Sequence, residues 1–140
     1  MRILMISDVY FPRVNGVSTS IQTFARGLVA SGHEVTLIAP DYGAQDGQDQ
    51  AEPFEVLRVA SRYLPLDPED RLLRPGRVRA LLGSDGTGLK GRGFDLVHIQ
   101  TPFVAHYTGL SLARRLGVPV VESYHTFFEQ YLDRDRKSVV

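Results

Sequence analysis

Short apolar runs alternate with stretches of helical periodicity along this chain. Residues 2–6 form an apolar run that ends at Ser7, which is typical of a parallel strand buried on both faces. From Val17 to Ala30 apolar side chains recur every three or four residues, as on a helix that packs against a sheet. Ser18 is the expected N-cap of this helix. Residues 34–39 form a second apolar run, so the chain is predicted to open with a βαβ unit.

The rest of the chain continues this alternation. Residues 54–59 predict a third, weaker strand, and residues 61–70 are expected to be irregular because they contain two prolines. A short helix is expected to begin near Pro75. The remaining predicted elements are a strand over residues 95–100, a helix over residues 103–116 and a strand over residues 118–123. This order predicts an α/β protein with a Rossmann-like, doubly wound, mostly parallel sheet.

Composition narrows the class of protein. The 140 residues carry 16 basic and 16 acidic side chains, so net charge gives no indication of a nucleic-acid partner. The chain has no cysteine, which excludes a disulfide framework and thiolate metal sites. It shows neither a secretory signal pattern nor an apolar run of the roughly 18 residues that a spanning helix needs. We therefore expect a cytoplasmic protein that is at most peripheral to the inner face of a membrane.

Polar residues follow three of the predicted strands. Asp8 follows the first strand, Gln100 and Thr101 lie at the carboxyl end of the fourth, and Tyr124 and His125 follow the fifth. Because the carboxyl ends of parallel strands share one edge of a sheet, these residues are expected to converge on one crevice, where such sheets bind ligands.

The loop from Ser7 to Ser18 places a glycine at the start of the first helix. At Asn15-Gly16-Val17 the backbone N–H groups can approach an anion closely, because Gly16 has no Cβ and the helix N-terminus is partly positive. A phosphate contact is one interpretation, and a glycine required only by a tight turn is the other. No GxGxxG and no GxxxxGK[ST] motif is present, so neither a dinucleotide fingerprint nor a Walker A loop is supported.

Two titratable residues at this edge are candidates for chemistry. His125 sits in a Tyr-His-Thr turn, where it can donate a hydrogen bond or move a proton near neutral pH, or serve the turn structurally. Asp8 has no second carboxylate beside it, so a hydrogen bond to the loop or to a substrate hydroxyl is favoured over a nucleophile. The four histidines lack metal-ligand spacing, so no metal is predicted.

A stretch rich in arginine and leucine, residues 71–82, offers a different surface. It could present a cationic amphipathic face to anionic lipid headgroups, or it could be an ordinary solvated helix. Pro75 and Gly76 interrupt the pattern, which weakens the membrane interpretation.

Two long segments together resemble one enzyme family. SDVYFPRVNGVSTSIQTFARGLVASGHEVTLIAP resembles the opening of retaining GT-B glycosyltransferases of family 4, and DLVHIQTPFVAHYTGLSLARRLGVPVVESYHTFFEQYL resembles their middle region. The resemblance implies that residues 1–133 form the N-terminal, acceptor-side half of a GT-B fold. It implies a nucleotide-sugar donor as co-substrate, a lipid or saccharide acceptor, and no metal or other cofactor.

The resemblance also implies roles for individual residues. Asn15, Gly16 and Val17 would contact the donor diphosphate, and His125 would contact the donor sugar and support transfer. The side chains that would line the acceptor side are those of Asp8, Tyr10, Gln100, Thr101, Phe103 and Tyr107.

The sequence departs from the family at its carboxyl end. Residues 134–140 do not continue the pattern, and the donor-binding half of the family, with its basic pair and paired glutamates, is absent from the sequence. We therefore expect an incomplete fold that is inactive alone. The alternative is a non-catalytic Rossmann-like binding module, or half of a split enzyme that acts with a separate donor-binding chain.

Overall fold

A computed structural model of the chain describes residues 1–43, 47–64, 67–83 and 88–123, and from residue 62 to residue 72 it describes the backbone only. The strands are β1 (Arg2–Ile6), β2 (Glu34–Pro40), β3 (Glu55–Val59), β4 (Ser61–Leu64), β5 (Asp67–Leu73), β6 (Leu96–Ile99) and β7 (Val120–Glu122). The helices are α1 (Gly16–Ala30), α2 (Pro75–Ala80) and α3 (Val104–Leu116), with single 3-10 turns at Asp49–Ala51 and Leu89–Gly91.

Five of these strands form one parallel sheet in the order β3-β2-β1-β6-β7. β1 lies at its centre, where Met5 pairs with Leu37 on one side and with His98 on the other. Both faces of β1 are covered, since Ile3 to Ile6 are 0–4% exposed. The apolar run at the start of the sequence is therefore the buried parallel strand that its pattern predicts.

Helices cover both faces of the sheet, which confirms the doubly wound arrangement. On one face α1 buries Ile21 and Ala25 against Met5. On the other face α2 and α3 bury Val78 and Leu112. Alternate residues of each strand thus enter different apolar clusters, because successive side chains of a strand point to opposite faces.

The prediction of an irregular segment over residues 61–70 is wrong. β4 and β5 pair there as an antiparallel hairpin, with Ser61 opposite Leu73. A two-stranded ladder consists of edge strands only, and an edge strand tolerates a proline such as Pro68 within β5.

The N-cap of α1 also differs from the prediction. Asn15, in an extended conformation, accepts a hydrogen bond from the backbone N–H of Ser18 at 2.8 Å. The Ser18 hydroxyl instead donates to the carbonyl of Arg13 at 2.6 Å. Ser18 is therefore the third helical residue, and its side chain ties the helix back to the preceding loop.

The strand after α3 is the outermost one in the described part of the sheet. Val120 and Val121 of β7 are 38% and 48% exposed, so this apolar run is less buried than its composition suggests. Among the described helices, none has the length and apolar character needed to cross a bilayer.

Candidate functional site

The point at which the order of strands switches direction lies between β1 and β6. The chain builds β2 and β3 on one side of β1, then returns to place β6 and β7 on the other. In such sheets the crevice at the carboxyl ends of the two strands at this switch point is the usual ligand site. Asp8 follows β1 and Thr101 follows β6, so the sequence correctly placed both residues at this edge.

Asp8 is fully buried and its carboxylate has three hydrogen-bond donors. One oxygen, Oδ2, accepts from the Thr101 hydroxyl at 2.8 Å and from the backbone N–H of Ala105 at 2.9 Å. The other, Oδ1, accepts from the backbone N–H of Leu73 at 3.2 Å. The Asp8 N–H in turn donates to the Thr101 hydroxyl oxygen at 2.9 Å. Sequence reasoning missed Leu73 and Ala105, because they contribute backbone groups that any residue type could supply.

Burial sets the ionisation of this carboxyl. Desolvation raises the pKa of Asp8 above its ordinary value of 3.8. The hydrogen bonds from Ala105, Thr101 and Leu73 act in the opposite direction, because they favour the carboxylate, but they do not cancel the effect of burial.

The start of α1 presents unpaired amides to its surroundings. Asn15 caps the N–H of Ser18, whereas the N–H groups of Gly16 and Val17 have no acceptor in the described part of the chain. Gly16 itself is exposed. The helix dipole places about half a positive elementary charge at this end, so the two amides can receive an anionic oxygen.

The six predicted acceptor residues divide into two groups by exposure. Phe103 and Tyr107 are 40% and 73% exposed and offer surface to a ligand. The other four are 0–2% exposed, so a direct contact would require this edge to open; they are Asp8, Tyr10, Gln100 and Thr101.

Tyr10 illustrates the buried group. Its ring lies 5.5 Å from the guanidinium carbon of Arg58, and its hydroxyl has no hydrogen-bond partner among the described residues. Burial, together with the nearby negative charge of Glu52, raises the pKa of Tyr10 well above its ordinary value. The ring is therefore neutral and packs in the apolar cluster that lies between α1 and the sheet.

His125, with Tyr124 and Thr126, lies outside the described residues, and its role stays a prediction.

The segment that precedes His125 is held in place by two histidines that the sequence did not single out for this purpose. His106 on α3 lies 2.8 Å from the Glu122 carboxylate, and His98 lies 2.6 Å from the Ser123 hydroxyl. His98 is 5% exposed and lies within β6, so it is a structural residue of the sheet.

The described segments offer no group of side chains for binding a metal ion. They contain no cluster of three or more histidine, aspartate or glutamate side chains that could hold an ion.

Similar proteins point to one family. The sequence model of Glycosyltransferase Family 4 matches residues 14–139. A GDP-mannose-dependent alpha-mannosyltransferase of Mycobacterium tuberculosis is 38% identical over 132 residues, covering 90% of this chain and 32% of that protein. An alpha-monoglucosyldiacylglycerol synthase of Streptococcus pneumoniae is 32% identical over 132 residues, covering 94% of this chain and 28% of that protein. The chain thus spans less than a third of the length of these curated relatives.

A solved structure extends the likeness of fold. MurG of Acinetobacter baumannii matches with a TM-score of 0.55 and 17% identity, over 86% of this chain and 34% of that chain. At this identity the match concerns the fold alone.

Proposed function

Since this chain belongs to Glycosyltransferase Family 4, we propose that it forms the acceptor-side domain of a retaining glycosyltransferase. Its Rossmann-like sheet is that of the N-terminal half of a GT-B fold. The transferase would move a sugar from a nucleotide-sugar donor to a lipid or saccharide acceptor. The family match over residues 14–139 is the observation that carries this proposal.

The donor would meet the chain at the start of α1. The N–H groups of Gly16 and Val17 have no acceptor in the described part of the chain, Gly16 is exposed, and Asn15 holds the first turn in shape through its bond to Ser18. Such amides can stabilise the negative charge that develops on the departing diphosphate. His125 would lie beside the donor sugar, donating a hydrogen bond as the glycosidic bond breaks.

The reaction would retain the configuration at the sugar carbon. The acceptor hydroxyl attacks from the face that the diphosphate leaves, and a diphosphate oxygen takes up its proton. No metal is required in this scheme, so positioning and charge stabilisation provide most of the rate enhancement. GDP-mannose in the name of the mycobacterial relative supports a nucleotide-sugar donor.

The acceptor would bind on the side of α3. Phe103 and Tyr107 supply exposed aromatic surface at its first two turns. The pneumococcal relative is named as the synthase of a glucosylated diacylglycerol, and this name supports a lipid acceptor.

A lipid acceptor also suggests contact with a membrane. Arg74, Arg77 and Arg79 are exposed, and in the described part of the chain they have no carboxylate partner. We expect Arg77→Glu to weaken binding to vesicles that contain phosphatidylglycerol by roughly fivefold or more, since losing one basic residue near an anionic surface costs about 1 kcal/mol and the added carboxylate is repelled. Arg115→Glu, in the last turn of α3, changes the net charge equally at an exposed position and is the control. Equal effects in a vesicle sedimentation assay would argue for net charge rather than for a binding face.

The proposed transfer can be tested by completing the enzyme. Joining this chain to the part of the mycobacterial relative beyond the aligned region should give a protein that transfers radiolabelled mannose from GDP-mannose to lipid. The 140-residue chain alone should give no transfer. A fused protein that binds donor and acceptor but never transfers the sugar would favour the non-catalytic binding module. Full activity of the 140-residue chain alone would contradict the proposal that transfer also needs a donor-binding domain.

A further inference from the structure

The helix α3 begins without a cap of its own. Its N-cap residue, Phe103, makes no side-chain hydrogen bond to the first turn, and that turn contains no acidic residue. The N–H of Ala105, the second helical residue, nevertheless has an acceptor: the carboxylate of Asp8, 97 residues earlier in the chain. A carboxylate at this position satisfies a free amide and complements the positive end of the helix dipole.

The same carboxylate joins two further segments. Through Leu73 it holds the last residue of β5, and through Thr101 it holds the residue that follows β6 by two positions. The bond from the Asp8 N–H to the Thr101 oxygen fixes the orientation of that hydroxyl, so its proton points at the carboxylate. One side chain thus connects the loop after β1, the end of the hairpin and the start of α3.

We propose that Asp8 is a positioning residue, which acts as the N-cap of α3 from the end of β1 and holds the carboxyl-edge loops in one arrangement. Its part in transfer rests on the function proposed above. The Asp8 side chain is fully buried, and both oxygens already have donors, so it is not a ligand of the acceptor. It acts instead through the start of α3, where Phe103 and Tyr107 are exposed.

An amide cannot replace this carboxylate. The three donors to Asp8 occupy both oxygens. In Asp8→Asn the NH₂ group must face either the Leu73 N–H or the Ala105 N–H, and two donors then oppose each other. Asp41→Asn is the matched control: Asp41 follows β2 at the same edge, and its Oδ1 accepts from the Gly43 N–H at 2.8 Å. An asparagine can keep that bond.

The arrangement itself is tested on the chain alone by NMR. As pH is lowered, the amide proton shifts of Leu73 and Ala105 should change together in one step, which Asp41→Asn retains and Asp8→Asn abolishes. If Asp8→Asn does not fold, Thr101→Val should still move this step in pH, because it removes one donor to the carboxylate. Amides that titrate independently of one another, or a step that Thr101→Val leaves unmoved, would overturn the assignment.

The positioning role is tested by steady-state kinetics of the fused enzyme described above. Asp8→Asn should lower kcat roughly tenfold and leave the acceptor KM within about twofold, since it displaces the site without removing a contact. A raised acceptor KM with unchanged kcat would make Asp8 an acceptor ligand and refute the proposal. If the fused enzyme is inactive, the proposed function fails, whereas the NMR result still decides whether Asp8 caps α3.

Discussion

Two glycines in the middle of helices should respond in opposite ways to the same substitution. Gly109 lies in α3, where a Cβ would stand 2.5 Å from Cγ1 and 2.8 Å from Cδ1 of Ile99, and 3.2 Å from Cγ2 of Ile6. Gly27 lies in α1, where a Cβ would meet nothing within 4 Å. The absence of a side chain at Gly109 is therefore what lets α3 lie close to β1 and β6.

The magnitudes follow from these distances. Replacing a mid-helix glycine by alanine stabilises a helix by about 1 kcal/mol, and this gain is common to both sites. Overpacking at a filled site costs about 1–3 kcal/mol. Gly27→Ala should therefore raise the free energy of unfolding by up to about 1 kcal/mol, and Gly109→Ala should lie about 1–3 kcal/mol below it.

The assay is equilibrium unfolding of the chain in urea, followed by circular dichroism, with the slope m checked for equality between variants. A double-mutant cycle adds a second test, because Ile99→Ala should cost less in the Gly109→Ala background than alone. Equal stabilisation by the two alanines would refute the close approach of α3 to the sheet.

Two further predictions concern charge. The pKa of Asp8 in the folded chain is raised above 3.8, so the folded chain takes up this proton at a higher pH than the unfolded chain does. The free energy of unfolding of the wild-type chain, compared with that of Asp8→Asn, should therefore rise as pH falls through the folded pKa. Below pH 3.8 this difference should level off. A difference measured by urea unfolding that shrinks with falling pH would contradict this sign. Asp49→Asn should cost about 2–4 kcal/mol, because it breaks a two-bond pair with Arg58 whose side chains are only 17% and 10% exposed. Glu55→Gln, in the exposed pair with Arg92, should cost less than about 1 kcal/mol, and similar losses for both would refute the distinction.

Much of the fold follows from hydrophobic periodicity alone. The β1 and β2 runs and the helical spacing of α1 and α3 each correspond to an observed element, because tertiary burial and local pattern agree there. The hairpin of β4 and β5 escaped prediction because its prolines suggest loops. Among the described strands these two pair only with each other, so the rule against proline in a central strand does not apply.

The candidate site could be predicted only in part. The predicted parallel topology was enough to place Asp8 and Thr101 at the same edge of the sheet. In the structure the Thr101 hydroxyl donates a hydrogen bond to the Asp8 carboxylate at 2.8 Å. The burial of Asp8 could not be predicted, because the buried carboxylate needs hydrogen-bond donors and two of them are the backbone N–H groups of Leu73 and Ala105. Residues of almost any type have such a group, so the sequence does not show which ones will serve. Exposure then separates Phe103 and Tyr107 from the other predicted acceptor residues, and that distinction required the packed structure.

The proposed function requires sugar transfer at the carboxyl edge of the sheet, and variants of two histidines test this claim most directly. In the sequence His125 comes three positions after the end of β7 at that edge, whereas His33 lies at the opposite edge, where its Nδ1 is 3.0 Å from the N-terminal amine. In the fused enzyme, His125→Ala should lower kcat by roughly 10²-fold or more, and His33→Ala should leave kcat within about twofold. An unchanged kcat in His125→Ala, with donor still bound, would contradict the claim.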